Sequence, residues 1–184
     1  HNLEKTAANA VTGNGGEVVG QVSAPFPTAD FSSFLLQAQG SGAQVIGLAN
    51  AGTDTQNSVK QAQEFGIVQS GQKLASLLLF ITDVDALGLD AAQGLTLTTG
   101  FYWDFDAKAR EWSAKYEEKT GSKPSMVQAG MYSSALQYLK AVDAAGTDDP
   151  KKVIAQLKTM PIEDAFARNG KVRADGLMMH DMYL

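Results

Sequence analysis

Two close pairs of carboxylates are the residues best placed for acid–base chemistry. Asp83 and Asp85 follow an apolar run, and Asp104 and Asp106 follow three consecutive aromatic residues. A carboxylate pair supports acid–base catalysis only if its surroundings separate the two pKa values, which spacing alone does not show. For Asp83, ligand binding and helix capping both remain open. Asp104 and Asp106 are interpreted as caps of the helix that begins near residue 106.

The other reactive side chains form no catalytic or metal-binding pattern. The chain has two histidines and no cysteine, and His180 alternates with apolar residues, as a structural or surface histidine does. The sequence has no nucleophile elbow, no zinc-ligand spacing and no phosphate-binding glycine loop. The glycine-rich run at 13–16 follows a helical pattern and is interpreted as a helix stop. We therefore expect no enzymatic activity, no cofactor and no metal.

Composition narrows the class of protein further. The chain has 184 residues, of which 44% are hydrophobic and 19% charged, as in globular proteins. A net charge of −5 argues against a nucleic-acid partner. The longest apolar run, at 74–81, is far shorter than the roughly 18 residues that a membrane span needs. The chain begins with His1 rather than with Met. We interpret this as a sign that an export signal has been removed or that the chain is a fragment of a longer protein.

The first hundred residues alternate between helical and strand patterns. Such alternation with short connections predicts an α/β fold with a parallel sheet and right-handed crossovers. The strand at 43–50 is expected to be buried on both faces. The predicted helices cover 2–12, 31–39 and 55–66, the strands cover 17–23, 43–50, 74–81 and 94–102, and 82–93 is a short helix or turn.

The pattern changes after Trp103. Three helices follow one another, at 106–121, 124–146 and 148–160, with no strand between them. The tail at 168–184 contains Asn-Gly and Asp-Gly, which are turn signals, and ends in a predicted strand.

Loops at the carboxyl ends of the predicted strands supply the candidate ligand-binding residues. Those ends meet at one edge of a parallel sheet, where ligands bind in open α/β folds. The loops combine apolar walls with a few polar groups, which suits a small molecule, and they contain no nucleophile–base pair. The candidates from these loops are Pro27, Asn50, Ala51, Asp83, Val84, Phe101 and Tyr102.

Three segments carry a resemblance to a known family. They are GQVSAPFPTADFSSFLLQAQGSGAQVIGLANAGTDTQNSVKQAQEFG (20–66), DALGLDAAQGLTLTTGFYWD (85–104) and MVQAGMYSSALQYLKAVDAAG (126–146). In order and spacing they resemble the periplasmic substrate-binding proteins of ABC importers, of the leucine/isoleucine/valine-binding type. The resemblance covers nearly the whole chain and implies a type I fold with two α/β (Rossmann-like) lobes joined by hinge strands.

The resemblance also implies a domain organisation. Residues 1–104 would form a second-lobe sheet, 105–163 would be helices of the first lobe, and 164–184 would return to the second lobe. The upstream half of such a protein is absent, so the chain is identified as a C-terminal fragment that could dimerise or swap domains. The Phe101–Trp103 rings would stand at a hinge crossing, with Trp103 and Phe105 packing the junction.

The implied function is extracytoplasmic capture of a solute for a membrane permease. Tyr132 resembles a family position that faces the cleft from the other lobe. The rings near the predicted site, and the ending DGLMMHDMYL, favour small aromatic carboxylates of the benzoate or cinnamate type over branched-chain amino acids. Asp83 could meet an ammonium group or accept a phenolic hydroxyl. A ligand-sensing domain of a receptor or regulator, with the same architecture, remains an alternative.

Overall fold

A computed structural model describes residues 2–184, which form eight helices and five strands. They divide into two compact units, residues 2–98 with Leu184 and residues 99–183. The elements are α1 (Asn2–Gly13), α2 (Ser32–Gly40), β1 (Val45–Leu48), α3 (Thr53–Glu64), β2 (Lys73–Ser76), α4 (Ile81–Leu87), α5 (Leu89–Ala92), β3 (Leu95–Leu97), α6 (Ala107–Thr120), α7 (Met126–Ala145), α8 (Pro150–Leu157), β4 (Lys171–Val172) and β5 (Met178–Met179).

The first unit is built on a parallel sheet with the order β1-β2-β3. Val45 pairs with Lys73, and Ser76 pairs with Leu97. Helix α3 joins the first two strands, and α4 with α5 joins the second and third. The predicted α/β class and the parallel sheet are therefore confirmed.

Burial in this sheet alternates along β1. Ile46 and Leu48 are buried in a core shared with Leu35 of α2 and Val59 of α3, whereas Val45 is exposed. The prediction that this strand is buried on both faces is therefore wrong. The helices that contribute to the core, α2, α3 and α4, cover one face of the sheet and leave the other open.

The strand predicted at 17–23 does not form. These residues have no regular secondary structure and are exposed, in spite of their strand-like composition. Composition favours an extended backbone, but a strand also needs a neighbour for its N–H and C=O groups. No described strand pairs with this segment, so the prediction of a strand is wrong here.

The second unit contains the three successive helices that the sequence predicts. Asp106 caps α6 by accepting the Ala109 N–H, and Asp149 caps α8 with Pro150 in its first turn. The strand expected at the chain's end is reduced to Met178–Met179, which pairs antiparallel with Lys171–Val172. Further along, an isolated bridge joins Thr99 to Tyr183.

A half-buried carboxylate organises the second unit between α7 and the chain after α8. Asp164 Oδ2 accepts hydrogen bonds from Ser133 Oγ at 2.7 Å and Gln137 Nε2 at 2.8 Å. Its Oδ1 accepts the backbone N–H groups of Phe166 and Ala167, both at 2.9 Å. Asp164 therefore gives an acceptor to the hydroxyl of Ser133 and the Nε2 of Gln137, two buried polar side chains of α7.

Candidate functional site

The loop before α2 and the loop at the carboxyl end of β1 are joined by polar contacts around the start of α3. The Thr28 N–H lies 3.4 Å from both carboxylate oxygens of Asp54. Asn50 Nδ2 donates to Ser58 Oγ at 2.7 Å, and Asn50 Oδ1 accepts from Thr55 Oγ1 at 3.1 Å. The loop that contains Pro27 and the loop that contains Asn50 are thus fixed to the same helix, within one unit.

Asp83 is held by two donors in the same unit. Its Oδ1 accepts Gln56 Nε2 at 2.9 Å, and its Oδ2 accepts the Phe80 N–H at 3.0 Å. Asp83 lies in the first turn of α4 and is only 8% exposed. By accepting the Phe80 N–H, the carboxylate caps the start of its own helix, which is one of the two roles considered for it from the sequence. By accepting from Gln56, it also links α4 to α3. Ligand contact by Asp83 stays a prediction.

The apolar candidates of this unit differ in exposure. Pro27 and Ala51 are exposed in their loops, and the Phe26–Pro27 peptide bond is cis. Val84 is partly buried against the core of the first unit. Pro27 and Ala51 are therefore accessible to a ligand at this edge, whereas Val84 also supports the core.

The aromatic candidates lie in the second unit. Phe101 is only 5% exposed, and its ring meets Trp112 edge-on at a centroid distance of 5.6 Å. Trp112 also packs against Tyr132, with centroids 5.1 Å apart. Phe101 and Tyr132 are thus brought together by a tryptophan on α6. Phe105, which was expected to pack the hinge junction, is 49% exposed, whereas Phe101 is buried.

Tyr102 and Tyr132 both keep an exposed ring surface, at 40% and 41%. Each is backed by a tryptophan, because Tyr102 lies 5.7 Å from Trp103 between ring centroids and Tyr132 lies against Trp112. Lys123 Nζ stands 4.4 Å from the Trp103 ring centroid, in a cation–π arrangement. These contacts fix the orientation of both tyrosine rings.

Asp104 and Asp106 are engaged in structural contacts. Arg110 Nη1 lies 3.1 Å from Asp104 Oδ1, and Arg168 forms a bidentate pair with Asp106. The Ala109 N–H bond, together with Arg168, holds the pKa of Asp106 below its usual value. The His180 ring packs against Phe166, with ring centroids 4.7 Å apart and the planes tilted by 56°, in agreement with its structural interpretation. Across residues 2–184 we find no group of three or more metal-ligating side chains, and no helix there has the length and hydropathy of a membrane span.

Sequence reasoning missed the residues that connect the candidates. Gln56 bonds Asp83, Asp54 bonds the Thr28 loop, and Trp112 contacts both Phe101 and Tyr132. Gln56 and Asp54 lie in the first turns of the helix that follows β1, and that position was the available signal. The position of Trp112 in the sequence did not mark it in this way, because tryptophans on amphipathic helices often serve only to pack a hydrophobic core.

Comparison with protein families identifies the class. The model of a family described as periplasmic binding protein matches residues 1–184. The chain therefore belongs to the periplasmic binding protein family. A search of curated proteins found no match.

Solved structures give the same class. A periplasmic binding protein from Burkholderia mallei has a TM-score of 0.90 and 54% identity, over 98% of this chain and 48% of that one. A branched chain amino acid ABC transporter ligand-binding protein from Burkholderia xenovorans LB400 has a TM-score of 0.89 and 45% identity, over 99% and 49%.

A more distant structure was solved with an aromatic acid. It is an ABC transporter solute binding protein from Rhodopseudomonas palustris HaA2, in complex with p-hydroxybenzoic acid. Its TM-score is 0.85 and its identity 25%, over 98% of this chain and 50% of that one. The chain thus spans about half the length of the structures that it matches.

Proposed function

We propose that the protein is the extracytoplasmic solute-binding component of an ABC importer and captures a small aromatic carboxylate without changing it chemically. The ligand would lie between the two lobes of the full-length protein and would be delivered to a membrane permease. Residues 1–104 would belong to the second lobe, 105–163 to the first, and 164–184 would return to the second. The family match over the whole chain is the observation that carries the solute-binding part of this proposal.

The exposed tyrosine rings support an aromatic ligand. Tyr102 and Tyr132 each present a ring whose orientation is fixed by a tryptophan behind it. Fixed rings suit the stacked or edge-on contacts that aromatic ligands make, at little cost in side-chain entropy. The Rhodopseudomonas palustris protein with p-hydroxybenzoic acid points to the same ligand class.

The bonding state of Asp83 supports a phenolic hydroxyl over an ammonium group. Each of its carboxylate oxygens already accepts one donor, from Gln56 or from the Phe80 N–H. An ammonium group carries three donors that all need acceptors, whereas a hydroxyl has a single hydrogen to place. The lone pairs that remain on this nearly buried carboxylate therefore satisfy the single hydrogen of a hydroxyl more completely than the three of an ammonium group.

A branched-chain amino acid is the second candidate ligand. The Burkholderia xenovorans protein, which is 45% identical, is described as a branched chain amino acid transporter component. In this alternative Asp83 would meet the ligand's ammonium group. The two candidates assign Asp83 different donors, so a substitution there separates them.

Asp83→Asn in the full-length protein is expected to weaken binding of 4-hydroxybenzoate about tenfold and to leave benzoate binding nearly unchanged. The two acids differ only in the hydroxyl, and a hydrogen bond to a charged acceptor contributes about 1.5–3 kcal/mol. Removing the charge of the acceptor reduces this binding free energy by about 1.4 kcal/mol, which raises Kd about tenfold. Isothermal titration calorimetry with both acids measures the difference.

Asp85→Asn is the matched control, because Asp85 lies two residues away and is exposed. It should change neither affinity. Equal losses for both acids in Asp83→Asn would contradict the hydroxyl contact. Tight leucine binding that Asp83→Asn abolishes would establish the second candidate in its place.

A further inference from the structure

Methionine and histidine side chains alternate along the end of the chain. Met178 packs against the core of the second unit, and the ring of His180 contacts Phe166. Met179 lies between them on β5 and is 39% exposed. Side chains alternate between the two faces of an extended segment, so His180 and Met182 share one face and Met179 lies on the other. An imidazole and a thioether therefore stand side by side.

Both of these side chains meet Gly100. A β-carbon built on Gly100 would lie 2.9 Å from His180 Cε1 and 3.4 Å from Met182 Sδ. The two side chains thus converge within 3.4 Å of one point beside the backbone. Gly100 is not among the glycines with a positive φ, so its backbone conformation does not call for glycine. The missing side chain instead leaves room for the imidazole and the thioether to approach each other.

Backbone hydrogen bonds hold Gly100 in this position. The preceding residue, Thr99, exchanges two backbone hydrogen bonds with Tyr183, at N···O distances of 2.9 and 2.8 Å. The Gly100 N–H donates to Met126 Sδ at 3.3 Å. The residues on both sides of the convergence are therefore fixed before anything binds, which keeps the entropic cost of binding low.

The hydrogen bond of the His180 ring selects the tautomer that binds metals. His180 Nδ1 lies 2.8 Å from the Asp181 carbonyl oxygen. A carbonyl oxygen only accepts, so Nδ1 carries the ring hydrogen and Nε2 of the neutral ring keeps its lone pair. Within the described part of the chain, no hydrogen bond reaches Nε2. Histidines that bind metals show the same arrangement, with the other ring nitrogen donating to a carbonyl or carboxylate.

The pair of ligand types defines the class of ion. Thioethers are soft ligands that suit ions such as Cu(I), and imidazole also suits copper. Residues 2–184 hold no group of three or more His, Asp, Glu or Cys side chains, so nothing in them indicates a site for a hard divalent ion. The sequence-based expectation of no metal considered imidazole, carboxylate and thiolate ligands and left thioethers aside.

We propose that His180 Nε2 and Met182 Sδ bind one soft monovalent cation of the Cu(I) class. Met182 is 54% exposed and gives the ion a path from solvent. The Phe166 ring packs against the imidazole and fixes its orientation. All of these residues lie in the second unit, so the site is complete within it. Because the bound species is an ion, this inference holds or fails independently of the proposed solute.

Ag(I) is the probe for this site, since it shares the charge and softness of Cu(I) and is stable in air. The full-length protein is isotopically labelled at its methionine methyl groups and titrated with silver nitrate, followed by nuclear magnetic resonance. Met182→Leu and Met179→Leu each remove one signal and so assign it. The Met182 signal should shift in a saturable manner while the Met179 signal stays in place. His180→Gln should weaken the Ag(I) affinity measured at Met182 about tenfold or more.

Met179→Leu is also the matched control, because Met179 is exposed in the same segment but lies on the opposite face. It should leave the Met182 titration unchanged. Zn(II), whose protein ligands are thiolate, imidazole and carboxylate, should not move the Met182 signal.

Three results would overturn the proposal. The first is a Met182 signal that Ag(I) leaves in place, and this result needs no variant that alters the site. The second is an equal shift of the Met179 and Met182 signals, because silver would then bind any exposed thioether. The third is a Met182 titration that His180→Gln does not weaken in a protein whose circular dichroism shows it to be folded, since the two side chains would then not share an ion.

Discussion

Phe101→Ala is expected to lower the free energy of unfolding by about 3–5 kcal/mol. Phe101 is 5% exposed, packs edge-on against Trp112, and belongs to a core with Ile162 and Phe166. Truncation would leave a cavity between helices that cannot close without moving α6. Equilibrium unfolding in urea, followed by tryptophan fluorescence and circular dichroism, measures the change.

Phe105→Ala is the control for Phe101, since it removes the same atoms four residues further on. Phe105 is half exposed and its ring meets Tyr183 at 4.5 Å, so the expected loss is about 1 kcal/mol. Phe101→Leu, which keeps most of the volume, should cost less than about 1.5 kcal/mol. Equal destabilisation by the two alanine variants would show that Phe101 is not the core residue described here.

Asp164→Ala is expected to cost about 3 kcal/mol, because it leaves Ser133, Gln137 and two backbone N–H groups without their acceptor. In a chain of this size that corresponds to a fall in melting temperature of roughly 6–12 °C. Differential scanning calorimetry measures it. Asp148→Ala, at an exposed position, should stay within about 0.5 kcal/mol. A loss at Asp164 as small as that at Asp148 would rule out the organising role of this carboxylate.

The same carboxylate should give the second unit an acid-sensitive stability. Burial alone would raise the pKa of Asp164, but hydrogen bonds from the Ala167 N–H, Ser133 and Gln137 outweigh it and lower the pKa. The folded pKa thus lies below the unfolded value of about 3.9, so this stabilisation is complete above about pH 5 and lost as the pH falls through the folded pKa. Asp164→Asn should flatten that part of the stability curve, and an unchanged slope would contradict the assignment.

The helices of the second unit were predictable because their signals are local. Asp106, Asp149 and Pro150 act at the ends of their own helices, and nothing distant is needed to satisfy them. Residues 17–23 show the opposite case. Their valines favour an extended backbone, but a strand exists only where another strand accepts it, and composition does not carry that information.

In the candidate site, too, local features could be predicted from the sequence and partners distant in the sequence could not. The sequence could place Asn50 and Asp83 at strand ends, because the α/β alternation fixes which edge those ends share. It could not identify Gln56 as the partner of Asp83, since a glutamine in the first turns of a helix serves many purposes. The burial of Phe101 depends on Trp112, which lies eleven residues away on α6, so exposure could not be read from the aromatic run alone.

Equilibrium dialysis of the full-length protein tests the central claim most directly. The protein is dialysed against 4-hydroxybenzoate, benzoate, leucine, isoleucine and valine in turn, and each bound ligand is recovered and identified by mass. We predict saturable binding of one aromatic acid per protein, recovered unchanged, with no saturable binding of the three amino acids. Saturable binding of leucine without 4-hydroxybenzoate, or recovery of a chemically altered acid, would contradict the account.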